Sequence, residues 1–105
     1  MKKQIFDDYA TAVAEKFHLT LDEMFTSGRK QHIVDARQIL YYLCMERPIR
    51  IANIKRFLKT YDFDVTHPTI LHGYEKAKKM IKEDEDVSEL INEILNNNKI
   101  SKNTL

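Results

Sequence analysis

Hydrophobic residues recur every three or four positions along most of the 105-residue chain, which is the period of an amphipathic α-helix. The first such stretch predicts a helix from Ile5 to Phe17. Its inner face is predicted to carry Ile5, Tyr9, Ala12 or Val13, and Lys16 or Phe17. Because the pattern continues as far as Leu95, we expect an all-α fold, a compact bundle of five to six helices.

Capping residues and helix breakers mark the next boundaries. Thr20 and Glu23 have the spacing of a capping box, so a short helix is expected to begin there and to end at Thr26-Ser27-Gly28. The segment from Gln31 to Glu46 is apolar on nearly all sides, which is typical of the central helix of a bundle. Pro48 then ends that helix.

Two helices joined by a turn follow, which is the arrangement of a helix-turn-helix. The first is predicted from Ile51 to Leu58 and the second from His67 to about Lys82, with a turn from Lys59 to Val65 between them. Thr66 is predicted to cap the second helix. The inner face of that helix is predicted to carry Ile70, Tyr74, Ala77 and Ile81, and its exposed stripe Pro68, Thr69, His72, Lys76 and Lys79.

The length of the chain fits a single core. We expect the helix-turn-helix domain to occupy residues 1–84, a further amphipathic helix residues 85–97, and a frayed tail residues 98–105. The apolar side of the further helix suits either packing on its own core or the pairing of two chains. It carries Val87, Leu90, Ile91, Ile94 and Leu95.

Composition and spacing argue against several classes of protein. The longest apolar run, Ile39 to Met45, is too short to cross a bilayer, so we expect no membrane partner and a cytoplasmic location, in the bacterial cell or its nucleoid. Cys44 has no second cysteine to pair with. His67 and His72 lie about 140° apart on a helix, which is unsuited to a shared metal. We therefore expect no metal, no cofactor and no catalytic activity.

Positive charge is concentrated in the middle of a chain whose net charge is only +1. Residues 28–61 have a net charge of +6, whereas residues 1–27, 62–75 and 76–105 have −2, −3 and 0. A localised basic surface attracts polyanions at short range. A solvated helix face without a ligand would carry the same charges, so both interpretations stay open on charge alone.

The residues of these segments resemble a known family, the C-terminal DNA-binding domain of the bacterial replication initiator DnaA. The resemblance covers roughly residues 9–82 in the family's order. It rests on Val13-Ala14-Glu15-Lys16-Phe17, Leu21-Asp22-Glu23-Met24-Phe25, Arg29-Lys30-Gln31-His32-Ile33-Val34-Asp35-Ala36-Arg37-Gln38-Ile39, Tyr42-Leu43, Ile51-Ala52-Asn53-Ile54 and Thr66-His67-Pro68-Thr69-Ile70-Leu71-His72-Gly73. It implies a Trp-repressor-like helix-turn-helix that binds double-stranded DNA.

The resemblance also implies roles for individual residues. Arg29 resembles the basic-loop arginine that enters the minor groove, and Arg37 with Gln38 resembles a pair that contacts phosphates. Arg37 lies among apolar positions, so its stem is alternatively expected to cover the core. His67 and Thr69 resemble contacts at the start of the recognition helix. The remaining predicted DNA contacts, some of which are equally well explained as solvated surface, are Lys30, Lys55, Arg56, Thr66, Pro68, His72 and Lys76.

The turn before His67 departs from the family. The family has Gly-Gly-Arg-Asp there, whereas this turn, Lys59 to Thr66, is longer and lacks glycine. Thr66 replaces the family's Asp and Pro68 its Thr, which removes a hydroxyl and an amide donor. Each lost bidentate contact is worth ~1 to 3 kcal/mol of base discrimination. We therefore expect a target sequence that differs from the standard initiator box.

The sequence thus predicts sequence-preferring binding to duplex DNA in replication or transcription control. Free-standing copies of such a domain suit a bacteriophage or mobile element, in which case the protein works in the host cytoplasm. No Gly-x-x-x-x-Gly-Lys-Ser/Thr occurs in the chain, so no ATPase and no nucleotide partner are expected. The alternative is a helical protein-interaction module or decoy regulator that lost specific DNA reading, which the acidic segment 62–75 supports.

Overall fold

The computed structural model describes residues 2–26 and 28–97, and all regular structure within these residues is helical. The predicted all-α bundle of five to six helices is confirmed. The predicted tail at residues 98–105 lies outside the described residues. The helices are α1 (Lys2–Lys16), α2 (Leu21–Met24), α3 (Gln31–Glu46), α4 (Ile51–Lys59), α5 (His67–Glu83) and α6 (Glu85–Asn97).

The central helix of the bundle is α3, which packs against α1 on one side and α5 on the other. Its bounds are those predicted, and its residues Ile39, Leu40 and Cys44 are completely buried. Burial raises the pKa of the Cys44 thiol well above its usual value, so this cysteine stays protonated. Cys44 is therefore a small core residue, as predicted.

The inner face of α1 is rotated slightly from the predicted one. Phe6, Tyr9 and Val13 are buried, whereas Ile5 and Ala12 are only partly buried. The buried residues lie three and four positions apart, so the alternative that included Val13 is the correct one. The ring of Phe6 belongs to a cluster of aromatic side chains, which are Phe6, Phe25, Phe57, Tyr61 and Phe63.

Capping side chains fix the starts of α2 and α5 as predicted. The Thr20 hydroxyl accepts a hydrogen bond from the Glu23 amide at 3.1 Å, and the Glu23 carboxylate accepts one from the Thr20 amide at 2.8 Å. This is the complete capping box. At α5 the Thr66 hydroxyl accepts from the Thr69 amide at 3.3 Å. Both helices therefore begin at a residue that the sequence identifies.

The inner face of α5 differs from the prediction at three positions. Gly73 is buried with Ile70 and Ala77, whereas Tyr74 and Ile81 are only partly buried. The reason is a close approach of α3, whose Tyr41 ring occupies the space beside Gly73. Tyr74 is therefore at the edge of the interface, where its hydroxyl donates to the Glu46 carboxylate at 2.7 Å. Tyr42 of α3 is half-buried beside it, with ring centroids 5.9 Å apart.

The last helix packs on the same core. Ile91 and Ile94 of α6 are buried, and Lys16 of α1 forms an ion pair of 2.7 Å with Glu93. Asp84 alone separates α6 from α5. The apolar residues that suggested the pairing of two chains pack on the core of this chain. The pairing through α6 stays a prediction. Among the described residues, none of the helices is long and apolar enough to cross a membrane.

Candidate nucleic-acid interface

A groove of about 410 Å³ opens between the α2–α3 loop, α3 and the start of α5. Five of the predicted DNA contacts line it, from three separate segments of the chain. Two of them, Arg29 and Arg37, bring positive charge to its wall, and Asp64 brings one carboxylate. The predicted contacts that the groove brings together are Arg29, Arg37, Gln38, Thr69 and His72.

The start of α5 forms one wall of this groove. Its first turn contains no acidic residue, and Thr66 and Thr69 are joined through their hydroxyl oxygens at 2.9 Å. The unpaired amides and positive dipole of a helix start attract anions such as phosphate. His67 and Pro68 are exposed at the same end, beside the groove and not in its lining. The proline costs no helix hydrogen bond there, because an N–H group in the first turn has no acceptor within the helix.

Arg37 is held by the backbone at the end of α2 and in the α2–α3 loop. Its guanidinium donates hydrogen bonds to the carbonyl oxygens of Met24 at 2.9 Å, Thr26 at 2.8 Å and Gly28 at 3.2 Å. Partial burial lowers the pKa of Arg37 from its ordinary value, but an arginine stays protonated at any physiological pH. Arg37 thus holds the backbone of the loop through hydrogen bonds that its position among apolar residues did not predict. It also lines the groove.

A second groove, of about 390 Å³, continues along α3 and α5. Gln38 lines both grooves, and Lys76 lines the second one with Lys79 on the next turn of α5. Asp35 and Glu83 add acidic groups to its lining. Lys76 therefore lies in the groove that adjoins the first one. It is further along α5 from the helix start than Thr69 is.

The predicted contacts on the first helix of the helix-turn-helix are partly engaged elsewhere. The Lys55 ammonium forms an ion pair of 2.8 Å with Asp64 of the turn. Arg56 is exposed, with its guanidinium 5.3 Å from the centroid of the Phe57 ring. Lys30, which precedes the first residue of α3, is exposed and makes no side-chain cap there. The structure does not bring these three residues into the lining of either described groove.

The sequence analysis did not predict several residues of the groove lining, among them Phe63, Asp64 and Gly73. Phe63 and Asp64 lie in the turn, whose length made their direction unpredictable, and Gly73 lies inside α5. One signal was present for Gly73: it is one of only two glycines in the chain, and a glycine within a helix often marks a close approach of two backbones. Within residues 2–26 and 28–97, no group of three or more potential metal-binding side chains is found.

The described helices define an all-α helix-turn-helix domain with a basic groove beside its second helix. The chain belongs to the bacterial DnaA protein helix-turn-helix family, which matches residues 7–77 and so bears out the resemblance. Chromosomal replication initiator protein DnaA of Leifsonia xyli subsp. xyli is 31% identical over 88 residues, which are 83% of this chain and 18% of that protein. The same-named protein of Thermomicrobium roseum is 34% identical over 77 residues, 72% of this chain and 16% of that protein.

The chain thus spans about a sixth of the length of the relatives it matches. A third relative, the Chromosomal replication initiator protein DnaA of Lachnoclostridium phytofermentans, is 33% identical over 73 residues, 69% of this chain and 15% of that protein. No solved structure shows significant similarity to the chain.

Proposed function

We propose that this domain binds double-stranded DNA with a sequence preference, with the start of α5 in the major groove and Arg29 in the adjacent minor groove. The observation that carries the proposal is the groove in which Arg29, Arg37, Gln38, Thr69 and His72 meet beside the N-terminus of α5. A helix start contacts base edges and phosphates in this class of motif, and an inserted arginine senses the width of the minor groove.

The roles of the remaining predicted residues follow from their positions. His67 and Thr69 are proposed to contact bases and phosphates, with Thr66 holding the helix start. Outside the lining of the first groove, Lys30, Lys55, Arg56 and Lys76 are proposed to add phosphate contacts. Pro68 and His72 are exposed on the stripe that faces away from the core of α5.

Replication or transcription control is the process we propose, because the relatives are named chromosomal replication initiators. In this proposal the domain hydrolyses no nucleotide itself and acts by binding DNA in the cytoplasm or nucleoid. A phage or mobile-element source stays a prediction of the sequence.

Selection from random DNA duplexes tests the binding directly. We expect an enriched motif with an A·T-rich segment at the Arg29 contact, and an affinity that falls steeply with salt as counterions are released. Absence of both an enriched motif and salt-dependent retention would refute DNA binding. Co-purification with one specific protein in that case would support the protein-interaction alternative.

Three alanine variants separate base reading from phosphate contact. Arg29→Ala and His67→Ala should reduce the ratio between preferred and random duplexes. Lys76→Ala should weaken all duplexes alike and lower the salt slope by about one. Lys16→Ala, whose side chain pairs with Glu93 away from both grooves, is the matched control. Equal loss on every duplex in the first three variants would contradict this division of roles.

A further inference from the structure

One side chain contacts both the loop that carries Arg29 and the turn that leads into α5. The Arg37 guanidinium donates to the carbonyl oxygen of Met24, the last residue of α2, and to those of Thr26 and Gly28 in the α2–α3 loop. Its central carbon also lies 5.0 Å from the centroid of the Phe63 ring, in the turn that leads into α5. The loop that carries Arg29 and the turn that carries the recognition helix are therefore joined through Arg37.

The loop side of this connection is held at several points. Three carbonyl groups within five residues of backbone converge on one guanidinium, and the Gly28 amide donates to the Thr26 hydroxyl at 3.2 Å. Arg29 follows Gly28 directly. A planar guanidinium fixes such carbonyl groups in direction as well as in distance, because its N–H groups form a rigid fork. The position of Arg29 is consequently tied to α3.

The turn side is held by stacking of apolar and charged surfaces. The Phe63 ring packs 6.0 Å from that of Phe25, which follows α2, and lies under the Arg37 guanidinium. Phe63 precedes the Thr66 cap by three residues. This turn has no glycine, which limits its backbone freedom. The contact between the Phe63 and Phe25 rings then fixes the direction in which the chain enters α5. Arg37 and Phe63 both line the groove between the two elements.

We propose that Arg37 and Phe63 are positioning residues that set the separation between the Arg29 loop and the start of α5. The inference rests on the proposed function and deepens it: the minor-groove segment and the major-groove segment of the target must then follow each other at one fixed spacing. This role goes beyond a phosphate contact, since three of the five guanidinium N–H groups already donate to backbone carbonyl oxygens of α2 and the α2–α3 loop.

The test compares the duplex enriched by selection with two altered duplexes, in which one base pair is inserted or removed between the two segments. The native domain should lose about 5- to 150-fold in affinity on the altered duplexes, because a displaced contact costs as much as a mismatched base pair. Arg37→Lys keeps the charge and removes the fork, and Phe63→Leu keeps an apolar side chain and removes the ring. In both variants this spacing penalty should shrink by at least about 2-fold.

The matched control is Phe17→Leu, another partly buried ring, which lies outside the groove and should keep the native spacing penalty. Native penalties in both Arg37→Lys and Phe63→Leu would overturn the proposal, even if overall affinity fell. An Arg37→Met variant whose salt slope falls by about one with an unchanged spacing penalty would likewise assign Arg37 to a phosphate contact alone.

A readout in the free protein separates this inference from the proposed function. Arg37→Lys should speed hydrogen exchange of the Gly28 amide, because the loop loses its anchor on α3, while exchange within α1 stays unchanged. Unchanged exchange at Gly28 would overturn the anchoring whether or not the domain binds DNA. A native domain that binds no duplex, together with faster exchange in the variant, would refute the function and leave the anchoring established.

Discussion

The backbone of Gly73 lies directly against the ring of Tyr41, so that a β-carbon at position 73 would be 2.6 Å from Cδ2 of that ring. Tyr41 is itself only 3% exposed and has little room to move. The same β-carbon would be 3.3 Å from Cγ of Gln38, which lines the groove. The distance between α3 and α5, and with it the width of the candidate interface, therefore depends on the missing side chain.

Gly73→Ala should destabilise the domain. Overpacking costs ~1 to 3 kcal/mol, and the better helix propensity of alanine returns up to ~1 kcal/mol of that. The free energy of unfolding in urea measures the result. Gly28→Ala is the matched control, since its β-carbon would meet only the Thr26 hydroxyl, at 3.2 Å. If Gly73→Ala costs as much in a Tyr41→Leu background as in the native one, the clash is not with the tyrosine ring.

Asp64→Asn should strengthen DNA binding. Asp64 is the carboxylate in the lining of the first groove, and its ion pair with Lys55 lowers its pKa, so it is charged at neutral pH. The substitution frees Lys55 to contact phosphate and removes a negative charge that repels DNA. The affinity should therefore rise by about 2- to 5-fold, and the salt slope should become steeper. Titration of a labelled duplex at several salt concentrations measures both.

Asp62→Asn is the control for that prediction. Asp62 lies two residues away in the same turn, outside the lining of both described grooves, at a φ of 62° that asparagine tolerates well. It should change affinity less than Asp64→Asn does. Equal gains from the two variants would show that only the net charge of the turn matters.

Ile94→Ala should lower the free energy of unfolding by ~2 to 5 kcal/mol, because the side chain is only 2% exposed and its removal leaves a cavity between α6 and the core. Asn92→Ala, at an exposed position of the same helix, should change it by less than ~0.5 kcal/mol. Light scattering on both variants checks the mass. Unchanged stability in Ile94→Ala with a reduced mass would instead assign α6 to an interface between chains.

Stability should fall at alkaline pH through Tyr41, which is buried, and Tyr61, which is partly buried. Burial raises the pKa of Tyr41 from 10.0 to about 12, and burial with a hydrogen bond to Asp7 raises that of Tyr61. The unfolded chain releases these protons first, so the stabilisation is complete below pH 10 and is lost as pH rises toward about 12. Urea unfolding across this range measures it, and Tyr41→Phe should flatten the decline. A decline equally steep in Tyr41→Phe would exclude Tyr41 as a source.

Much of the fold was predictable because its signals are local. Thr20 with Glu23, and Thr66, cap the helices that the sequence assigned to them, since a cap involves residues only three apart. The bounds of α3 were equally predictable, because an apolar run and Pro48 define them without reference to any neighbour. The inner face of α1 was predicted less well, since adjacent apolar residues such as Ile5 and Phe6 compete for one core and only packing decides between them.

The sequence by itself determined that this chain is a helix-turn-helix domain of the DnaA type with its basic residues in the middle. Tertiary structure alone decided which groups these residues contact: Arg37 donates to carbonyl oxygens of the loop, and Lys55 pairs with Asp64. It also decided that Gly73 packs against the ring of Tyr41. The physical reason is range. Capping and helical period act over a few residues, whereas the direction of a long side chain depends on acceptors that are brought near only when distant segments pack.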